Sequence, residues 1–142
     1  MVLVTPEKIA AIMALSPPPH SFAELDEMVA HGLPKASLKA SIEHIFLGNE
    51  ERRQLLYRII PEATYKRRRD KLSEEESGRA ERLARIFATA AYVWDSESDA
   101  RAFLTTPHAM LQARTPLDVS LTELGARRVE ELLWRLYYGL GA

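Results

Sequence analysis

Cysteine is absent from the 142 residues, which excludes a disulfide framework, a thiol nucleophile and a zinc knuckle. No apolar run approaches the roughly 18 residues of a membrane-spanning helix. The opening MVLVTPEKIAAIMAL lacks a basic n-region and a cleavage site, and Glu7 interrupts it, so a signal peptide is not expected. Catalytic motifs are missing too: there is no P-loop, no G-x-G-x-x-G, no H-E-x-x-H and no G-x-S-x-G. The histidines His20, His31, His44 and His108 are scattered, with no i, i+4 pair to hold a metal. Glu74-Glu75-Glu76 has a simpler use at a helix N-terminus, where negative charge complements the dipole. An enzyme, a cofactor, a metal centre and a membrane anchor are therefore not expected, and a cytoplasmic location is.

What is present is ordinary in bulk and uneven in detail. Hydrophobic residues make up 46% and charged residues 27%, the composition of a globular chain rather than a disordered one. The net charge of −1 hides an asymmetry: residues 1–49 carry −2, residues 50–71 carry +4 and residues 72–142 carry −3. One short segment thus holds most of the usable positive charge, and a concentrated patch governs polyanion binding better than the global balance does. The alternative is a solvated helix face.

Nearly every segment reads as helix. Thr5-Pro6 caps and opens a first helix carrying Ile9, Ile12 and Met13, and Ser16-Pro17-Pro18-Pro19 breaks it. Ser21 with Glu24 reads as a capping box before a face of Phe22, Leu25 and Val29. A third helix starts near Pro34, a short one covers Glu50 to Ile60, and Pro61 restarts the chain into Glu62–Asp70. A second box, Ser73 with Glu76, opens a long helix with the stripe Leu83, Ile86, Phe87, Ala90, Val93 and Trp94. Ser96 and Thr115-Pro116 open brief helices, and Ser120 or Thr122 caps a last one that runs to about Tyr138, with Gly139 as its stop. No stretch alternates with period two. The expected fold is all-α: an N-terminal helix-turn-helix bundle followed by a small helical C-terminal domain. A division near residues 70–73 leaves halves of about 70 residues, marginal alone, so packing against a second copy or another partner is expected.

Two segments suggest binding. From Glu50 to Lys71, two short helices joined by a tight connection, the second rich in Lys and Arg, outline a helix-turn-helix. Ala63 and Tyr65 supply an anchor, while Thr64, Lys66, Arg67, Arg68 and Arg69 cover the rest of the circumference and are the candidate DNA contacts. On the last helix, Val129, Leu132, Leu133, Leu136 and Leu140 share one sector at 100° per residue, and Arg127, Trp134 and Tyr138 lie nearly opposite. Tryptophan, tyrosine and arginine on one face is a hot-spot composition. Packing of Trp134 against another helix of its own chain is the equal alternative.

Landmarks in order along the chain carry a resemblance. Ile60-Pro61-x-x-Thr64-Tyr65-x-Arg67-Arg68 is followed by Leu72-Ser73-x-x-Glu76-Ser77 and Arg82-Leu83-Ala84-Arg85. Then come Ala100-x-x-Phe103-Leu104-x-x-Pro107, Arg114-Thr115-Pro116-Leu117-Asp118, Thr122-x-x-Gly125-Ala126-Arg127-Arg128-Val129, and finally Leu133 and Tyr138-Gly139-x-x-Ala142. Over roughly residues 33–142 this set resembles the Xre/MbcA/ParS-type antitoxins, with departures at Gly78, Phe103, His108 and Gln112-Ala113. The resemblance implies two parts: an N-terminal region, 1–71, with an Xre-like helix-turn-helix over about 33–71, and a toxin-binding domain over 72–142. It implies an antitoxin of a type II toxin–antitoxin pair that binds operator DNA and represses its own operon. The implied partner is a RES-domain toxin, a family associated with NAD⁺ degradation or ADP-ribosyl chemistry, held in a homodimer and higher hetero-oligomer. Inhibition in such proteins commonly presents the C-terminal end to the toxin's active-site cleft. Here the implied toxin contacts are Arg127, Trp134, Tyr137, Tyr138, Gly139, Leu140, Gly141 and Ala142. A stand-alone transcriptional regulator without a toxin, or a segregation-type adaptor, is the rival reading.

Overall fold

Small polar side chains open most of the helices. In the computed structural model, which describes residues 4–139, Thr5 accepts the N–H of Lys8 at 3.2 Å and starts α1 (Pro6–Ile12). Ser21 accepts from Glu24 at 3.0 Å and starts α2 (Phe22–His31). The capping box expected there is only half made, because the Glu24 carboxylate takes the N–H of His20 at 2.7 Å instead. Pro34 precedes α3 (Lys35–Ile45), α4 (Asn49–Ile59) follows Gly48, and Pro61 precedes α5 (Glu62–Arg67). Ser73 and Glu76 complete the second box at the head of α6 (Glu74–Trp94), with bonds of 3.1 and 2.9 Å. Ser96, Thr115 and Thr122 cap α7 (Glu97–Thr105), α8 (Pro116–Val119) and α9 (Glu123–Tyr138). Gly139, at φ 67°, ends α9 in the left-handed region. The fold is all-α: among the described residues the only strand-like pairings are isolated bridges, Pro34 with Lys71 and His108 with Arg114.

The long helix α6 is the common wall. Leu83, Ile86, Phe87 and Ala90 are buried along it, and it packs against α1, α2 and α3 as well as α7 and α9. The helix α9 runs beside it in the same direction, since the pairs Arg82–Glu123, Arg85–Glu130 and Tyr92–Trp134 advance together. One apolar cluster extends from Val4 to Leu133, so the division expected at 71/72 is crossed by a shared core. Two members of the expected stripes differ. Phe22, the first residue of α2, is exposed at 47%, and Trp94, the last of α6, at 41%. Both are terminal residues of their helices, and Trp94 is covered only in part, by the Phe103 ring of α7 at 6.0 Å.

Gly78 sits inside α6, and a Cβ added there would have nothing within 4 Å. An alanine at this position meets open space and removes backbone freedom from the unfolded chain. Gly78→Ala is therefore expected to stabilise the protein by about 0.5–1 kcal/mol, read as a higher midpoint in thermal denaturation. A lower midpoint would mean that a neighbour occupies that space.

Candidate nucleic-acid interface and partner-binding surface

The basic segment folds as two helices joined by the extended residues Ile60 and Pro61. Leu55, Leu56, Ile59 and Ile60 anchor α4 in the core, and Tyr65 anchors α5. The Tyr65 ring lies under the Lys35 ammonium at 4.4 Å and meets Tyr57 edge-on at 6.4 Å. Burial raises the Tyr65 phenol above its ordinary range, with Tyr57 adding to the shift. Opposite this anchor, Lys66 and Arg67 are exposed and Thr64 is half-buried.

The second helix is shorter than the expected Glu62–Asp70, ending at Arg67. Tertiary pairing overrides the helical pattern: Lys35 N–H donates to Asp70 O at 2.8 Å, and Leu72 N–H to Leu33 O at 2.9 Å. The Lys35 ammonium also reaches Arg68 O at 3.1 Å. Gly32, at φ 97°, permits this close approach, since a Cβ there would sit 2.6 Å from Leu72 O. Arg68 and Arg69 consequently leave the helix, and their roles separate. Arg69 is exposed beside Lys71. Arg68, expected on the outer circumference, turns its fork onto the buried Glu76 carboxylate, with both bonds at 3.0 Å. Lys66 pairs with Glu62 at 2.6 Å, while Arg67 and Arg69 hold no carboxylate partner among the described residues. Arg53 and Arg58 of α4 are also exposed, but each holds a carboxylate, Arg53 that of Glu50 at 2.7 Å and Arg58 that of Asp118 at 2.8 Å. Their positive charge is visible in the sequence, but the pairing of Arg58 with Asp118, 60 residues away, is not.

Glu76 is at once cap and counter-ion. Burial opposes its charge, yet the Arg68 fork and the Ser73 N–H and hydroxyl together hold its carboxyl below the ordinary range. A depressed carboxyl contributes stability that is present above its unfolded pKa of about 4.3 and is lost as pH falls through the folded value. Glu81 works in the opposite sense. Burial raises it, with Glu130 and Glu123 adding to the rise and Arg85 and Arg82 countering it. Glu81 thus adds stability as pH falls toward about 4.3, whereas Glu76 loses it below that value. The decline is expected below about pH 4, and Glu76→Gln should flatten it. Thermal denaturation from neutral to acid pH reads the slope; an unchanged slope in Glu76→Gln would remove Glu76 from the account.

The exposed aromatic surface lies along the last helix. Trp134 is half-buried and meets Tyr92 of α6 at 6.0 Å, so the ring expected to face outward packs partly within its own chain. Tyr137 and Tyr138 remain 42% and 48% exposed. Together they form a contiguous cluster, with Tyr137 5.6 Å from both Tyr92 and Trp134 and 5.1 Å from Tyr138. A hydrogen bond with Tyr92 raises the Tyr137 phenol. Lys8 of α1 caps the Tyr92 face at 4.9 Å. Periodicity misses Tyr92 because it flanks the apolar stripe of α6 rather than lying on it. Arg127 is exposed and 3.8 Å from Glu123, on an earlier turn of α9. Leu140, Gly141 and Ala142 lie outside the described residues.

Two family models match along this layout. Residues 24–85 match the antitoxin Xre-like helix-turn-helix domain, and residues 89–139 match the antitoxin Xre/MbcA/ParS C-terminal toxin-binding domain. The chain has the domain architecture of the Xre/MbcA/ParS-type antitoxins. It is also 36% identical over 86 residues to a protein named antitoxin Xre from Pseudomonas putida, a match covering 58% of this chain. The chain spans about half (54%) of the length of that curated relative. In this Xre-type chain both matched parts are binding domains, and the two matches meet inside α6. Among the described residues no helix is long and apolar enough to cross a membrane, and no cluster of three or more His, Asp or Glu is placed to hold a metal.

Proposed function

We propose that this chain is the antitoxin of a type II pair, binding operator DNA through α4–α5 to repress its operon and neutralising a RES-domain toxin through α9 and the residues that follow it. The observation that carries the reading is the separation of two exposed surfaces on the two matched domains. An arginine-bearing strip lies on the helix-turn-helix, and a ring cluster at the end of α9 lies on the toxin-binding domain. The strip offers the charge a phosphate backbone needs. Aromatic rings held by one another lose little freedom when they enter a partner's cleft. On this reading Arg127, Trp134, Tyr137, Tyr138 and Gly139 form the first part of the toxin contact, Leu140–Ala142 extend it toward the active site, and the antitoxin works as a homodimer within a larger hetero-oligomer.

Tyr138→Ala tests the reading, because Tyr138 is 48% exposed, whereas Trp134 is half-buried against Tyr92. A hot-spot tyrosine contributes about 2 kcal/mol, so Tyr138→Ala should weaken binding of the co-expressed neighbouring RES-type toxin about thirtyfold. Deleting Leu140–Ala142 should abolish rescue of cells, while binding of the free antitoxin to DNA stays unchanged. Full rescue by both variants at equal expression defeats the toxin-blocking role. Failure of the chain to capture the toxin at all favours a stand-alone regulator.

A further inference from the structure

Where α4 gives way to α5, a pocket of about 380 Å³ opens between the two matched domains. Three arginines line it: Arg58 at the end of α4, and Arg79 and Arg82 one turn apart on α6. Pro61, the residue before α5, forms part of its wall, and Ser120 and Leu121 close it from the α8–α9 connection. Two of the guanidinium groups are fixed in place by backbone carbonyls. Arg79 donates to Ile59 O at 3.0 Å, and Arg82 donates to Leu121 O at 3.2 Å. Their second bonds go to Glu75 and Glu123, which are the more exposed members of those ion pairs. Arg58 makes a single bond, from Nη1 to Asp118 at 2.8 Å. A guanidinium has five N–H donors, so most of the donor capacity around this pocket is unspent.

We propose that this pocket is a phosphate-group site. A tetrahedral dianion or phosphodiester entering it would receive bonds from Arg79 and Arg82, whose positions are preset, and would draw Arg58 away from Asp118. Arginine forks suit phosphate oxygens better than a point charge does. The pocket includes Pro61, the residue before α5, so a backbone phosphate of bound duplex is one source of the group, and a free polyphosphate is the other. Only the duplex source rests on the DNA-binding role proposed above. Either source gives the C-terminal domain a share in the site, because Asp118 belongs to α8 and Leu121 to the turn before α9.

The full-length protein is titrated with a duplex taken from upstream of its own coding sequence and, separately, with sodium tripolyphosphate. Arg79 and Arg82 also hold the backbone, so Arg58→Ala and Asp118→Asn are the informative changes, with Arg135→Ala, an exposed arginine of α9 paired with Glu131, as a charge-matched control. Arg58→Ala should weaken binding about tenfold and lower the log–log salt slope by about 0.9. Asp118→Asn frees the guanidinium and should tighten binding severalfold. A response in both arms, larger than that of Arg135→Ala, establishes a general phosphate site; a response with duplex alone establishes a site for the nucleic-acid backbone. Tripolyphosphate binding that responds to both variants, in a protein that ignores duplex, upholds the pocket and defeats the DNA role. Equal affinities for wild type, Arg58→Ala and Asp118→Asn in both arms overturn the site, even where Arg67→Ala abolishes duplex binding.

Discussion

Gly125→Ala is expected to lower the stability of the protein by about 2–4 kcal/mol, in the opposite direction to the same substitution at Gly78. Gly125 lies in the first turn of α9, where its N–H donates to Thr122 Oγ1 at 3.0 Å. Helix propensity alone favours alanine at such a position by about 1 kcal/mol. The surroundings reverse that preference, because a Cβ on Gly125 would collide with the carbonyl oxygen and carbon of Val119, and would stand 2.8 Å from Thr122 Oγ1. The obstacle is backbone, and it ends α8, whose Pro116, Leu117 and Val119 are buried. Moving it aside would unseat those residues or tilt α9 away from α6. For a chain of this size 1 kcal/mol corresponds to about 3 °C, so the midpoint should fall by some 6–12 °C. Loss should be concentrated in the α8–α9 corner, where hydrogen exchange would report earlier opening. An unchanged or raised midpoint would show that the corner yields without cost. The glycine of the Thr122-x-x-Gly125-Ala126-Arg127-Arg128 motif thus has a mechanical reason: two helices cross with no room for a side chain.

The same contrast explains what could be read before the fold was known. Caps and stripes are local, so Ser73–Glu76, Thr122, Gly139 and the α6 face from Leu83 to Ala90 follow from spacing alone. Features fixed by distant partners do not. Nothing near Glu24 in sequence announces that its carboxylate prefers the N–H of His20 to that of Ser21. The Gln112-Ala113 turn holds both residues at positive φ, 55° and 61°, a conformation more usual for glycine. It is held by His108, whose N–H donates to Arg114 O and whose O accepts from Ala113. Trp134 faces away from the apolar sector of α9, yet the flank of α6 supplies Tyr92 to receive it. The shared core also follows from a long-range fact. The α6 hydroxyl of Ser77 accepts the buried N–H of Leu33 at 2.8 Å, tying the α2–α3 link to the helix that carries the C-terminal half.

The arginine run shows most sharply how identical side chains acquire different work, and it supports the second large prediction. Arg67→Ala with Arg69→Ala should weaken duplex binding roughly a hundredfold at low salt, about tenfold per lost charge-assisted contact. The log–log salt slope should fall by about 1.8, twice the value for one phosphate. Stability should hardly change, because both side chains are exposed and neither holds a carboxylate among the described residues. Arg68→Ala should show the reverse pattern. It strands a carboxylate that is only 5% exposed, with the Ser73 N–H and hydroxyl as its remaining support. The expected cost is about 2 kcal/mol of stability, with a salt slope close to that of the wild type. Anisotropy titrations across a salt series, paired with denaturant unfolding, separate the two patterns. If Arg68→Ala lowers the slope as Arg67→Ala does while leaving stability intact, the fork does not belong to Glu76 in solution. If the double variant binds duplex as the wild type does, the run is a solvated face, and α5 is not the element that meets DNA.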